Sequence, residues 1–302
     1  MSAPGKKAIS AGAFATLLLI ALMMGANHVA ARIAFNNGVD VATAVVFRSA
    51  VTALVIVAIL AAQGVRVTFT PRHKRMLPVI GLLIGVQSLC LYSAVARLPV
   101  ALALLAFNTY PIWTAFWSWA IYRHRPERPL LVAMPVILVG LALALDVFGA
   151  ASGLGAQGQW ASIGAGVAFA LTAAATFGLA LVITQHEAGD VDGRVRTATT
   201  MTLAGLVALA MVASQGGFHL PQAPAGWGGL FALTFLYGTA FTVLFTVLPR
   251  LGVVGNSAIM NVEPVFALVL AWLVLGQAVA PIQVVGALIV VGTVMLLGMR
   301  RR

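Results

Sequence analysis

The chain has 302 residues, 61% of them hydrophobic and only 8% charged, and its mean hydropathy is +1.03. A soluble domain carries about 25% charged residues, so the composition excludes one and predicts an integral membrane protein. The net charge of +11 does not argue for nucleic-acid binding, because the basic residues sit in short clusters between apolar runs, with no aromatic-rich polar surface beside them.

A membrane-crossing helix needs about 20 mostly apolar residues, and ten such runs follow one another. The first, 11–35, comes after Lys6 and Lys7 and contains Asn27, His28 and Arg32. It exceeds a signal-peptide core of about 7–15 residues, which makes it a retained helix. The second, 41–62, contains Arg48. The third, 76–96, contains Gln87, Ser88, Cys90 and Tyr92. The fourth, 100–121, contains Asn108, Thr109, Pro111 and the aromatics Tyr110, Trp113, Phe116, Trp117 and Trp119. The runs 129–148, 160–185, 197–214 and 227–248 come next, the last with Tyr237. The ninth, 254–275, contains Asn256, Asn261, Glu263 and Pro264, and the tenth covers 281–299. The loops hold turn formers, as in "FNNGVD", "GAASGLGAQGQ" and "QGGFHLPQAPAG".

An even number of crossings puts both termini on one side. With both inside, 15 of the 18 basic residues fall at inner ends and loops, and only Arg32, Arg48 and Arg97 lie elsewhere. The positive-inside bias therefore predicts N-in and C-in.

The two halves repeat each other. A shift of 153 lays "YPIWTAFWSW" on "EPVFALVLAW". Pro111 then meets Pro264, Trp119 meets Trp272, Asn108 meets Asn261, Arg97 meets Arg250 and Gly25 meets Gly178. Five helices per half is an odd number, so the copies run in opposite directions. The expected fold is all-α, with ten transmembrane helices in two inverted five-helix repeats, 11–148 and 160–299. That is the architecture of secondary transporters working by alternating access around a site between the halves.

Each half resembles the EamA-type repeat of the drug/metabolite transporter superfamily. The pieces that carry the likeness are "MMGANHVAARIAF", "VFRSAV" and "LYSAVARLPVALALLAFNTYPIWTAFWSW" in the first half. In the second they are "LPRLGVVGNSAIMNVEPVFALVLAWLVLGQAVAPIQVVGALIVVGTVML". One departure is Gly276-Gln277, where the family often has Gly-Glu. The resemblance implies a central cavity with the fifth and tenth helices at the periphery. It also implies export of small metabolites, neutral and aromatic amino acids first among them, from a bacterial cytoplasmic (inner) membrane. The same-class alternative is efflux of cationic amphipathic drugs, and the alternative from another class is a passive channel.

Several residues could form the site. Glu263 lies roughly 15 Å into its run by the helical rise of about 1.5 Å per residue, and a charge at that depth is costly. It could bind a substrate ammonium, exchange a proton, or pair with Arg48. Arg48 matches the family's second-helix "FR" pair, and it could attract a carboxylate or snorkel to the outer interface. Arg32, at a helix end, is expected to snorkel. Asn27, Gln87, Tyr92, Asn108, Asn256 and Asn261 are the other polar candidates for the cavity. His28 is a candidate proton carrier, although a satisfied buried imidazole is the commoner role. Tyr110 and Trp113 are deep enough to wall an apolar subsite, while Trp119 and Tyr122 suit an interfacial belt. Pro111 and Pro264 are expected to kink the fourth and ninth helices by removing a backbone donor, which makes them candidate hinges.

The lysines, Lys6, Lys7 and Lys74, all lie outside the apolar core, which argues against phosphorylated substrates. The sequence has no Gly-rich phosphate loop ending in Lys-Ser/Thr, no His-Glu-x-x-His and no Gly-x-Ser-x-Gly. The single Cys90 forms neither an intrachain disulfide nor a metal site. Neither an enzyme nor a cofactor or metal is therefore expected, and the expected partners are a small-molecule substrate and the lipid bilayer, for a monomer or homodimer.

Overall fold

The helix starts follow local capping chemistry. In the computed structural model, which describes residues 11–65, 67–125, 128–246 and 262–300, every regular element is helical. In chain order they are α1 (Ala11–Asn36), α2 (Val41–Ala62), α3 (Pro71–Arg97), α4 (Val100–Phe107), α5 (Tyr110–Tyr122) and α6 (Arg128–Ala144). Then come α7 (Gly155–Glu187), α8 (Gly193–Ser214), α9 (Pro224–Thr246), α10 (Glu263–Leu275) and α11 (Pro281–Arg300). Seven spans are long and apolar enough to cross a membrane, counting α4 and α5 together as Val100–Tyr122. Three shorter apolar helices cover Arg128–Ala144, Glu263–Leu275 and Pro281–Leu296.

Several helices outrun their apolar windows. α3 begins at Pro71 rather than 76 because Thr70 caps it, with Pro71 in the first turn. α8 begins at Gly193 because the Asp192 carboxylate accepts from the Arg194 N–H at 2.8 Å. A side-chain oxygen at the N-cap satisfies a backbone donor that otherwise has no partner, so polar residues such as Arg72 and Lys74 are helical too. The fourth run shows the opposite difference. The chain makes a tight turn at Asn108–Thr109, with Thr109 N–H donating to Ala106 O at 3.3 Å. Pro111 does not kink a continuous helix there. It sits in the first turn of α5, where its missing N–H costs nothing.

The repeat seen in the sequence is also a repeat of backbone geometry. α5 and α10 are each 13 residues long and each carries its proline in the first turn. The residue preceding α5, Thr109, has φ −73° and ψ −5°, and the one preceding α10, Val262, has φ −76° and ψ −9°. Their C-caps, Arg123 (φ 60°) and Gly276 (φ 64°), are both left-handed. The packing repeats as well. A Cβ on Gly25 of α1 would lie 3.0 Å from Ala267 N and 3.1 Å from Glu263 O of α10. One on Gly178 of α7 would lie 2.8 Å from Thr114 N of α5. Small residues let helix backbones approach closely, which is what drives helix association in lipid.

Helices of each half pack chiefly on helices of the other. α3 meets α7 as α9 meets α1, α5 meets α7 as α10 meets α1, and α3 meets α8 as α9 meets α2. α2 meets α8, and α6 meets α11, across the pseudo-axis. This pattern maps onto itself when the halves are exchanged. The core therefore lies between the repeats rather than inside either one.

Candidate functional site

A cavity of about 450 Å³ lies between the halves. It runs from mid-bundle toward the end formed by the start of α3, the end of α7 and the start of α8, where Ile80, Thr184 and Arg196 line it. No residue of α6 or α11 is in its lining. The tight turn before α5 brings Asn108 and Tyr110 to the wall, and the start of α10 brings Glu263 and Pro264.

The polar centre is built from five helices, α1, α2, α3, α9 and α10. Glu263 opens α10, and its Oε1 lies 3.3 Å from Nε2 of His28 on α1. The His28 side chain is 2% exposed and that of Glu263 is 21% exposed, so the acid faces the cavity with the imidazole behind it. Arg48 on α2 is buried. Its guanidinium carbon lies 4.5 Å from the ring centroid of Tyr92 and 4.0 Å from that of Tyr237. This aromatic cage holds a cation with little water. Arg48 also donates to the Tyr92 hydroxyl at 3.3 Å, and that hydroxyl donates to Asn27 Oδ1 at 2.8 Å. Two buried nitrogens, His28 Nδ1 and Arg48 Nε, have no hydrogen-bond partner among the described residues. Unsatisfied buried polar atoms are costly, and in a cavity wall they are sites for water or a ligand.

The apolar wall is an aromatic triad. Phe107, Tyr110 and Phe177 have ring centroids 5.7, 5.4 and 5.2 Å apart. Edge-to-face and tilted packing at these separations is favourable and rigid.

Among the residues expected at the site, Glu263, His28, Arg48, Gln87, Asn108 and Tyr110 line the cavity. Asn27 and Tyr92 do not line it. Both are fully buried behind the wall, where they position Arg48. Trp113 is not in the lining either, since its backbone packs on Gly178 and its ring meets Phe116 at 6.3 Å. Asn256 and Asn261 lie outside the described residues. The alternative of a Glu263–Arg48 ion pair is not realised: the acid meets His28 and the guanidinium meets the tyrosines. Arg48 does not snorkel, because the cage buries it. Arg32 does not snorkel either. It donates to the carbonyls of Val95 at 2.6 Å and Leu98 at 3.2 Å, satisfying the end of α3. Tyr122, at the end of α5, stacks on His186 at 3.8 Å and donates to Glu187 at 2.9 Å.

Sequence reasoning passed over Phe107, Phe177 and Arg196. Arg196 was counted among loop cations, but it lies in the first turn of α8, lines the cavity and donates to Ala188 O at 3.1 Å. The Asp192 cap four residues upstream was the available signal.

The two ends of the bundle are closed differently. At the end away from the cavity, second-half residues bond first-half residues. Gln277 Oε1 accepts from Val100 N–H at 3.1 Å, Gln222 N–H donates to Asn37 O at 3.1 Å, and Gln283 Nε2 donates to Ala144 O at 3.1 Å. At the cavity end the ties are charged and lie on the rim. Arg72 meets Glu187 at 2.6 Å and His73 meets Asp190 at 3.0 Å. Among the described residues no three His, Cys, Asp or Glu side chains group to hold a metal ion.

A family model, the EamA-like transporter family, matches residues 11–145 and 164–299. No curated protein matches the chain. A solved structure described only as a crystal structure of a protein is 18% identical, with TM-score 0.61 over 96% of this chain and 99% of that one. At that identity the likeness concerns the fold alone.

Proposed function

Because the chain belongs to the EamA-like transporter family, and is thus a multi-pass membrane transporter of small molecules, we propose that it exports neutral and aromatic amino acids by alternating access. The observation that carries this reading is the arrangement of three complementary surfaces around one cavity of about 450 Å³, within the range of roughly 300–1,000 Å³ usual for small-molecule sites. The Glu263 carboxylate takes the substrate ammonium. The caged Arg48 guanidinium attracts the carboxylate. The Phe107–Tyr110–Phe177 triad takes the side chain. A buried guanidinium in the wall works against a purely cationic drug, which gives the amino-acid reading its edge over multidrug efflux.

The positive-inside bias supports cytoplasmic termini, and the family resemblance supports a bacterial inner membrane. The cavity then opens inward, the loading side for an exporter. The halves rock about the α2–α8 and α6–α11 contacts. Opening the far side breaks the neutral ties at Gln277, Gln222 and Gln283, and closing the near side shuts off the cavity. Two interchangeable closures are what a carrier needs and a passive channel does not.

The test is uptake of labelled threonine, methionine and tryptophan into liposomes holding the purified protein. The expected result is saturable uptake with counterflow, strongest for tryptophan. Arg48→Ala is expected to abolish it, by removing the carboxylate's partner and leaving a gap between two tyrosines. Uptake of none of the three, with transport of a lipophilic cation instead, would replace this reading by drug efflux. Unsaturable flux without counterflow would replace it by a channel.

A further inference from the structure

A second cavity, of about 650 Å³, lies on the flank of the bundle between α2, α3 and α8, and it shares no lining residue with the central one. We propose that this groove is a lipid site, holding one acyl chain of an anionic phospholipid whose phosphate rests on Lys74.

One helix serves both cavities with two faces. Along α8, Arg196, Thr197, Thr200 and Met201 face the central cavity, while Val195, Ala198, Thr199 and Thr202 face the groove. Spacings of three and four residues mark each stripe of an α-helix. The first half supplies the opposite wall, with Leu60 near the end of α2, Phe69 in the loop that follows and Leu77 in α3. The floor is tightly packed: Leu60, Leu77, Val195 and Ala198 are each 7% exposed or less. Val57 and Val67 line the open side, at 49% and 48% exposed. The threonines add little polarity, because Thr199 donates to Val195 O and Thr202 to Ala198 O, both at 2.9 Å. From Val195 to Leu203 the groove follows α8 for about 12 Å, at a rise of about 1.5 Å per residue. Water deep in such a slot would lack hydrogen-bond partners, whereas a hydrocarbon chain fits it.

The charge at the groove selects the lipid. The Lys74 side chain lines it. The described acids at this end of the bundle are already taken: Glu187 by Arg72 at 2.6 Å, Asp190 by His73 at 3.0 Å and Asp192 by Arg194 at 2.7 Å. Lys74 thus has no acidic partner among the described residues. An ammonium beside an apolar slot is complementary to a phosphate above an acyl chain, and basic pockets between transmembrane helices bind anionic headgroups in this way.

The repeat shows that the charge belongs to one end only. α9 starts at Pro224 as α3 starts at Pro71, and the shift of 153 that pairs these prolines lays Trp227 on Lys74. The matching position at the other end of the bundle is therefore uncharged. On the orientation proposed above, the lipid comes from the cytoplasmic leaflet. Because α2 and α3 belong to one repeat and α8 to the other, its chain touches both halves.

The experiment is mass spectrometry of the intact protein in detergent, where binding does not depend on orientation or on any substrate. Equal amounts of phosphatidylglycerol and phosphatidylcholine with the same dioleoyl chains are added, and the retained lipid is counted. Wild type is expected to retain one phosphatidylglycerol with a preference of about fivefold, the weight of one charge at a membrane surface. Lys74→Gln is expected to bring the two lipids to parity, and Arg75→Gln, beside it but outside the groove, to leave the preference intact. Thr202→Trp, which fills the groove from a position facing its open space, is expected to abolish retention of both lipids. Val57→Trp fills it from the α2 wall and gives the same reading should Thr202→Trp not fold. Equal retention of the two lipids by wild type overturns the inference. So does an equal loss of preference in Lys74→Gln and Arg75→Gln, which would mean a diffuse surface charge. Retention that survives a filled groove, or displacement of the lipid by glycerol phosphate alone, overturns it as well.

Discussion

α5 and α10 are the same element used twice. They share length, proline position and terminal dihedrals, and a glycine on a facing helix admits each to close contact. Their first residues differ completely: Tyr110 joins an aromatic triad, whereas Glu263 meets an imidazole. The backbone keeps the symmetry and the side chains break it. Symmetry of the backbone gives two conformations of similar energy, as alternating access requires. On the amino-acid reading proposed above, asymmetry of the side chains would let a single substrate lie across the axis with its ammonium toward one copy and its side chain toward the other.

Breaking the shared backbone contact should have the largest effect. Gly178→Val drives a side chain into the Thr114 and Trp113 backbone, and Gly25→Val does the same at Ala267 and Glu263. Overpacking of this kind costs about 1–3 kcal/mol, and more where backbone is met. Both variants should lower the thermal midpoint in detergent, Gly178→Val further because its approach is closer. Small shifts in both variants would mean that neither close approach holds the packing.

Exchange of the distinguishing residues comes next. Tyr110→Phe should keep ammonium binding and change preference among side chains, whereas Glu263→Gln should remove ammonium binding. Liposome flux of tryptophan, methionine and threonine through each variant separates them. Smaller still is the C-cap difference. Arg123 holds a left-handed conformation that its counterpart Gly276 adopts without strain. Arg123→Gly should stabilise by about 1 kcal/mol, and Gly276→Arg should destabilise by a similar amount, both read from unfolding midpoints.

The smallest effect is the acid response of the rim. The Asp190 backbone N–H and the His73 ring hold the Asp190 carboxyl below the usual carboxylate range. A depressed pKa means that its contribution is complete above the unfolded value of about 3.9 and is lost as pH falls through the lower folded value. Stability should therefore show no Asp190-linked pH dependence between pH 5 and 8, and Asp190→Asn should lower it evenly across that window and lose its effect only in strong acid. An Asp190→Asn loss that persists in strong acid would overturn this.

Much of this was legible in the chain. Apolar runs of about 20 residues have one outcome in lipid, so the helices could be read directly, and proline, tryptophan and glycine coincidences at one offset revealed the repeat. The break at Asn108–Thr109 could not be read, because a proline signals a disturbed helix without saying whether it bends or restarts. The partner of Glu263 was hidden for a different reason. His28 stands 235 positions earlier in the sequence, and the depth argument offered only Arg48 as a partner. What takes Arg48 out of reach is its caging by Tyr92 and Tyr237, a contact among three helices that no local pattern encodes. Arg32 was misread on a related ground: the snorkelling rule describes side chains facing lipid, and this one reaches the end of a neighbouring helix.

The amide of Gln277 reaches across the halves to the first N–H of α4, far from every group that touches substrate. On the carrier cycle proposed above, its strength would set how long that end of the bundle stays shut without bearing on what the cavity holds. A carboxylate in its place would tighten the closure and a methyl group would loosen it. Turnover speed and selectivity can thus diverge independently among descendants of this fold, one adjusted at position 277 and the other at the cavity wall.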